Sequence, residues 1–161
     1  MFTGMQLLNL PTYSFNIKSR GKREWIFDVF RRGWHPLTPE EWVRQNFARY
    51  LCESLGYPES LLLLEKKITH NTLIRRCDIV VYSRLGQPMI LVECKAPDIV
   101  LNQKAFDQIA RYNMVLGVNT LLVTNGLTHY CIQIDPLTAT YSFLNDIPSF
   151  RSMADQSSSV I

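Results

Sequence analysis

Two charges of opposite sign stand two residues apart in the apolar run Leu91-Val92-Glu93-Cys94-Lys95-Ala96-Pro97. Side chains alternate across a β-strand, so a strand here puts Leu91, Glu93 and Lys95 on one face and Ile90, Val92 and Cys94 on the other. Burying such a pair costs several kcal/mol unless partners compensate, and an apolar pair would often serve stability as well. Upstream, Asp78 interrupts the stretch RRCDIVVY. If the two stretches are neighbouring strands of a meander, Asp78 comes close to Glu93, and two carboxylates and a lysine converge. Carboxylates held together favour a divalent cation between them, and oxygen-only donors on a rigid sheet suit Mg2+, or Mn2+ in its place. Such an ion acidifies a bound water and neutralises a phosphate oxygen, while a nearby ammonium orients the attacking water and stabilises developing charge. These residue types therefore point to phosphodiester hydrolysis. The plainer reading of Glu93 and Lys95 is a structural ion pair at a strand end, and Asp78 alone would pair with Arg75 or Arg76. The conjunction of the three favours the site.

The elements that must position them are readable in turn. Thr38-Pro39-Glu40-Glu41 offers an N-cap, a proline at the first helical position and a glutamate at N3, a capping box that opens a helix predicted to run to about Leu55. Gly56 and Pro58 stop it. Strands are predicted at about 61–69, 74–83 and 88–95 as an antiparallel meander, the last two joined by a turn around Arg84-Leu85-Gly86-Gln87. Leu101 to about Leu116 has helical spacing, with Phe106, Ile109, Ala110 and Val115 toward the core and Gly117 as its stop. Residues 119–124 form an apolar strand, Asn125-Gly126 a hairpin turn into 128–135, and a short strand near 138–144 closes the edge. A strand, helix and strand in succession normally make a right-handed parallel pair. The fold class is thus α/β: a mixed β-sheet flanked by helices, in α-β-β-β-α-β order. Residues 12–18 and 23–30, broken at Ser19-Arg20-Gly21-Lys22, read as an N-terminal β-hairpin. The chain divides into a hairpin extension (1–36), a core (37–147) and a flexible polar tail (148–161), a single domain overall.

Asp78 followed by Glu93-Cys94-Lys95 on consecutive strands after a helix resembles the PD-(D/E)xK nuclease signature. The blocks TPEEWVRQ (38–45), RCDIVVY (76–82), ILVECKAP (90–97), DQIARYN (107–113) and TNG (124–126), in that order, resemble the N-terminal domain of type I restriction endonuclease R subunits. The resemblance runs from about Leu10 to Asp135 and implies a restriction-endonuclease-like core. It implies Asp78 and Glu93 as metal ligands and Lys95 as the catalytic lysine of a Mg2+-dependent deoxyribonuclease. Many such nucleases draw a further acid from the first helix; Glu41 is the candidate, as ligand and catalytic residue, with Glu40 behind it, although the capping box accounts for Glu41 as well. Gln108 and Tyr112 match a QxxxY element, lie four apart on one helical face, and are expected to touch the substrate backbone. The proline usual before the aspartate is replaced by Cys77. R subunits also carry helicase motors, and no GxxxxGK[ST] occurs here. The resemblance implies DNA as partner, with separately encoded restriction or repair proteins and a homodimer as further candidates. The rival reading is a non-cleaving nucleic-acid-binding or assembly module that keeps the fold.

Composition sets the bounds. The chain has 161 residues, 47% of them hydrophobic, enough for one core. Seventeen basic against fourteen acidic residues give a net charge of +3, compatible with a polyanion partner where the basic residues cluster. Lys66, Lys67 and Arg76 are candidate nucleic-acid contacts. Lys18, Arg20, Lys22, Arg23, Arg31 and Arg32 form a second basic group. Cys52, Cys77, Cys94 and Cys131 have no metal-ligand spacing and read as small hydrophobes in a reducing compartment. His35, His70 and His129 are scattered and carry no assigned role. The N-terminus lacks a charged-then-apolar leader, and no run approaches the roughly 18 apolar residues of a bilayer span. A cytoplasmic protein with no membrane association is expected.

Overall fold

The computed structural model describes residues 5–157 of the chain. Two antiparallel ladders join three N-terminal strands, β1 (Ile17–Arg20), β2 (Arg23–Asp28) and β3 (Gly33–Pro36), in that order. Helix α1 (Pro39–Arg49) follows, capped by the Thr38 hydroxyl, which accepts from the Glu41 amide at 3.1 Å. It widens into a π turn over Tyr50–Ser54 and ends at Gly56, whose φ of 78° suits a residue without Cβ.

The main sheet has six strands in sequential order: β4 (Leu62–His70), β5 (Leu73–Tyr82), β6 (Pro88–Cys94), β7 (Thr120–Thr124), β8 (His129–Ile134) and β9 (Tyr141–Leu144). All neighbours are antiparallel except β6 and β7, which the crossover helix α2 (Gln103–Leu116) makes parallel. Asn102 caps α2 through its side chain, and Gly117 at φ 63° ends it. This is the mixed sheet with flanking helices that the hydrophobic pattern predicts. Alternation sorts the core into two layers. Ile79, Val81, Ile90, Val92 and Leu122 pack under α1 with Val43, Phe47 and Leu51. Val80, Leu91, Leu121 and Val123 pack under α2 with Ala105, Ile109 and Tyr112. Each fully buried aliphatic side chain contributes about 1.5–3 kcal/mol of transfer free energy.

Two departures from regular pairing shape the centre of the sheet. The β5–β6 ladder reaches Ile79–Val92 and stops short of Asp78 and Glu93, whereas the β4–β5 ladder continues to His70–Leu73. The strands fork there, and the β4–β5 hairpin runs on as a two-stranded arm. Within β4, pairing skips Glu65, which has φ 55°. Leu62 and Leu64 face the α1 layer but Ile68 the α2 layer, so the strand exchanges faces at this residue. A non-glycine residue in that region costs of order 1 kcal/mol or more, and the surroundings hold it there.

Two expectations need correcting. The N-terminal hairpin is a three-stranded sheet, because Trp34 and His35 pair back onto Phe27 and Ile26. The polar tail is not frayed over most of its length. Residues Phe150–Ser157 form α3, the Phe150 amide donates to the Leu55 carbonyl at 2.9 Å, and Phe150 and Met153 pack on the α1-side core. Ser158 and Ser159 lie outside the described residues. No helix among the described residues is long and apolar enough to cross a membrane.

Candidate active site

The fork between β5 and β6 is where the charged strand residues meet. Asp78 is 6% exposed and Glu93 3%. Where the ladder opens, the Asp78 side chain takes over its work: Oδ2 accepts the Cys94 amide at 2.7 Å. Oδ1 accepts two N–H groups of Arg44, from Nε at 3.0 Å and Nη2 at 2.7 Å. On the other side of the fork Lys95 Nζ lies 3.1 Å from Glu93 Oε1 and donates to Gln108 Oε1 at 2.9 Å. Gln108 in turn donates through Nε2 to the Tyr112 hydroxyl at 3.1 Å. The i, i+4 pair on α2 therefore braces the lysine.

Burial pushes the Glu93 carboxyl up to about 8, and the Asp78 charge beside it adds to the shift while Lys95 opposes it. Asp78 is also raised by burial, against the pull of Arg44 and the Cys94 amide. Burial disfavours the Lys95 charge, but the Glu93 carboxylate together with Glu40 and Asp78 outweighs it, and the ammonium is held above its ordinary value. Two buried carboxyls, of which Asp78 raises Glu93, make a site where a cation would be favoured.

Arg44 was not singled out by the sequence. Its guanidinium binds Asp78, Glu41, Glu40 at 3.1 Å and Glu65 at 2.9 Å, and the residue is only 6% exposed. Burial lowers its affinity for the proton, yet Asp78 and Glu41 together more than reverse this. The available signal was spacing: Arg44 stands three and four residues after Glu41 and Glu40 on one helical face. Glu65 was likewise missed, since only the exchange of faces in β4 turns its carboxylate to Arg44.

Glu41, expected beside Asp78 and Glu93 as a third acid, stands behind Arg44 instead. Its carboxylate accepts from Arg31, Arg44 and, at 2.8 Å, Gln45 Nε2. The capping box is half formed: the Glu41 amide meets Thr38, but the carboxylate does not return to the Thr38 amide, which donates to Pro36 O at 3.0 Å. Glu40 is within electrostatic reach of Lys95; burial raises its carboxyl first, and Asp78 second. Lys66, Lys67 and Arg76 lie on the β4–β5 arm beyond the fork, opposite Cys77, Arg76 and Lys67 respectively.

Among the described residues, no group of three or more His, Cys, Asp or Glu side chains is arranged to hold a metal. The Asp78–Glu93 pair nevertheless fits Mg2+, which is commonly held by one or two carboxylates with water completing its shell.

A family model for the type I restriction enzyme R protein N terminus matches residues 39–148. A fragment structure described as an HsdR subunit of a type I restriction enzyme from Vibrio vulnificus YJ016 is similar in fold, with a TM-score of 0.51 and 18% sequence identity. That alignment covers 70% of this chain and 25% of the other, so the chain spans about a quarter of that fragment's length. No curated protein matches.

Proposed function

Because the chain belongs to the family of type I restriction enzyme R protein N-terminal domains, we propose that its forked site hydrolyses DNA phosphodiester bonds. The observation that carries this reading is the convergence of Asp78, Glu93 and Lys95 where β5 leaves β6. Asp78 and Glu93 are the residues to hold Mg2+, or Mn2+ in its place. Bound there, the ion would supply an acidified water and a counter-charge for a phosphate oxygen.

The chain's own groups do the rest. The Cys94 amide and Arg44 fix the Asp78 carboxylate in one orientation, so little reorganisation is needed when charge arrives. Gln108, held by Tyr112, keeps the Lys95 ammonium at the mouth of the pair, where it meets a phosphate oxygen and stabilises charge that builds in the transition state. Burial of both carboxyls keeps bulk water away and strengthens each contact.

A second reading, a non-cleaving nucleic-acid-binding or assembly module, draws on a separate observation: Arg44 already neutralises Asp78 with two hydrogen bonds. One experiment separates the two. Linear, nicked and single-stranded DNA are incubated with the protein and Mg2+ or Mn2+. The nuclease reading expects cleavage that Lys95→Ala reduces at least a hundredfold, in line with loss of a charge-stabilising group. Identical behaviour of wild type and Lys95→Ala overturns it, and DNA binding that survives Glu93→Ala without any cleavage favours the module. Partner subunits of a restriction system and self-association belong to the same proposal, as does a place in the cytoplasm.

A further inference from the structure

The β4–β5 arm is charged in an unusual way. From Lys66 to Cys77 it carries Lys66, Lys67, Arg75 and Arg76 and no carboxylate. Lys67 and Arg76 are direct cross-strand partners, and like charges so opposed destabilise a hairpin. No ion pair relieves Lys67 among the described residues. Arg76 meets only Glu65, at 3.5 Å, and keeps 60% of its side chain exposed. An arm that already forgoes the support of β6 gains nothing in stability from this pairing, which makes sense if an anion sits across it.

A cleft of about 500 Å3 lies beside the arm. Arg31, His35 and Thr38, from the N-terminal sheet and the start of α1, line one side; Lys67 and Arg76 line the other, and buried Arg44 is at the floor. The carboxylates in the cleft are already compensated: Glu41 by Arg31 and Arg44, Glu65 by Arg44 and Arg76. Arg31 and Arg44 are also committed to Asp28, Glu40 and Asp78, so the cations of the lining left to meet an anion are Lys67 and the largely exposed Arg76. None of the lining residues is Phe, Tyr or Trp, and His35 is the one aromatic ring among them, so the lining favours backbone contacts over base stacking. The floor residue Arg44 also grips Asp78, so the cleft adjoins the fork.

We infer that this cleft is a groove for the phosphate backbone of a nucleic-acid strand, walled on one side by a sheet that precedes the family-matched segment 39–148. It rests on the nuclease reading for its orientation toward Asp78. Its binding is sequence-indifferent and strongly salt-dependent.

Fluorescence anisotropy of a labelled duplex with the full chain in EDTA, over a series of NaCl concentrations, tests it. Lys67→Gln and Arg76→Gln each weaken binding roughly fivefold, alike on unrelated sequences, as expected for loss of one exposed ionic contact. Each also lowers the slope of log K against log salt by about 1. Lys104→Gln, exposed on α2, leaves both unchanged. Melting curves confirm that the variants fold; a triple comparison with Lys67→Arg, which keeps the charge and restores binding, covers any loss of structure in the arm. Unchanged affinity and slope in both Gln variants overturn the groove. If that happens while Lys95→Ala still abolishes cleavage, the groove falls and the nuclease reading stands. If the slopes fall as expected but no DNA is cut, the reverse holds.

Discussion

At the scale of single residues, the site is a balance of five carboxyls against few cations, and Arg44 is its pivot. It touches four of those acids, Glu40, Glu41, Glu65 and Asp78, while Lys95 holds the fifth, Glu93. Asp78, Glu93 and Lys95 were legible in the sequence because charge inside an apolar alternating run is costly and therefore conspicuous. Gln108 and Tyr112 were legible from their likeness to a QxxxY element, and their spacing of four puts them on one helical face. Arg44 and Glu65 were not, because an arginine on a helix and a glutamate on a strand are ordinary until the fork and the exchange of faces bring them together. The balance leaves a mark on stability. Glu93 titrates higher in the folded chain than the 4.5 of an ordinary glutamate, near 8. A raised folded pKa gives stability that is complete below about 4.5 and is lost as pH rises toward 8. Urea unfolding of the metal-free protein across this window should show a decline of a few kcal/mol, and Glu93→Gln should flatten most of it. An unaltered profile in Glu93→Gln would mean that burial of its charge is not what the fold resists.

At the scale of elements, the order helix, three strands, helix and three strands follows from periodicity and punctuation, and bounds fall within a few residues of those predicted. β3 escaped notice because Gly33-Trp34-His35-Pro36 is short, begins with a glycine and ends with a proline, and gains its strand character only from pairing with β2. Helix α3 escaped because its polar composition says nothing of the two anchors, Phe150 and Met153, that dock it. The Asn125-Gly126 turn was legible, and its geometry is demanding. Gly126 has φ 83°, and a Cβ there would come within 2.7 Å of Leu8 Cδ2 and 3.1 Å of Val43 Cγ2. Its carbonyl also accepts the Asn9 amide at 2.8 Å, tying the N-terminal segment to the turn. Gly126→Ala should cost about 1–3 kcal/mol, from the left-handed backbone and the crowding together. Chemical denaturation measures this, and a loss below the error of the method would show that Leu8 and the turn yield freely.

At the scale of the whole molecule, a line of polar contacts joins the N-terminal sheet to the fork: Asp28 to Arg31, Arg31 to Glu41, Glu41 to Arg44, Arg44 to Asp78, and Asp78 to the Cys94 amide. The segment before residue 39 is thereby part of the site's support, though the family match begins only at α1. The account as a whole requires that Asp78 and Glu93 jointly accept a dication in spite of Arg44 and Lys95. Crystals soaked in Mn2+ and measured at an anomalous wavelength test this most directly. The account predicts a peak coordinated by both the Asp78 and the Glu93 carboxylates, and absent from Asp78→Asn. A difference map with no peak between them, and with Arg44 and Lys95 still seated on the two acids, would contradict it.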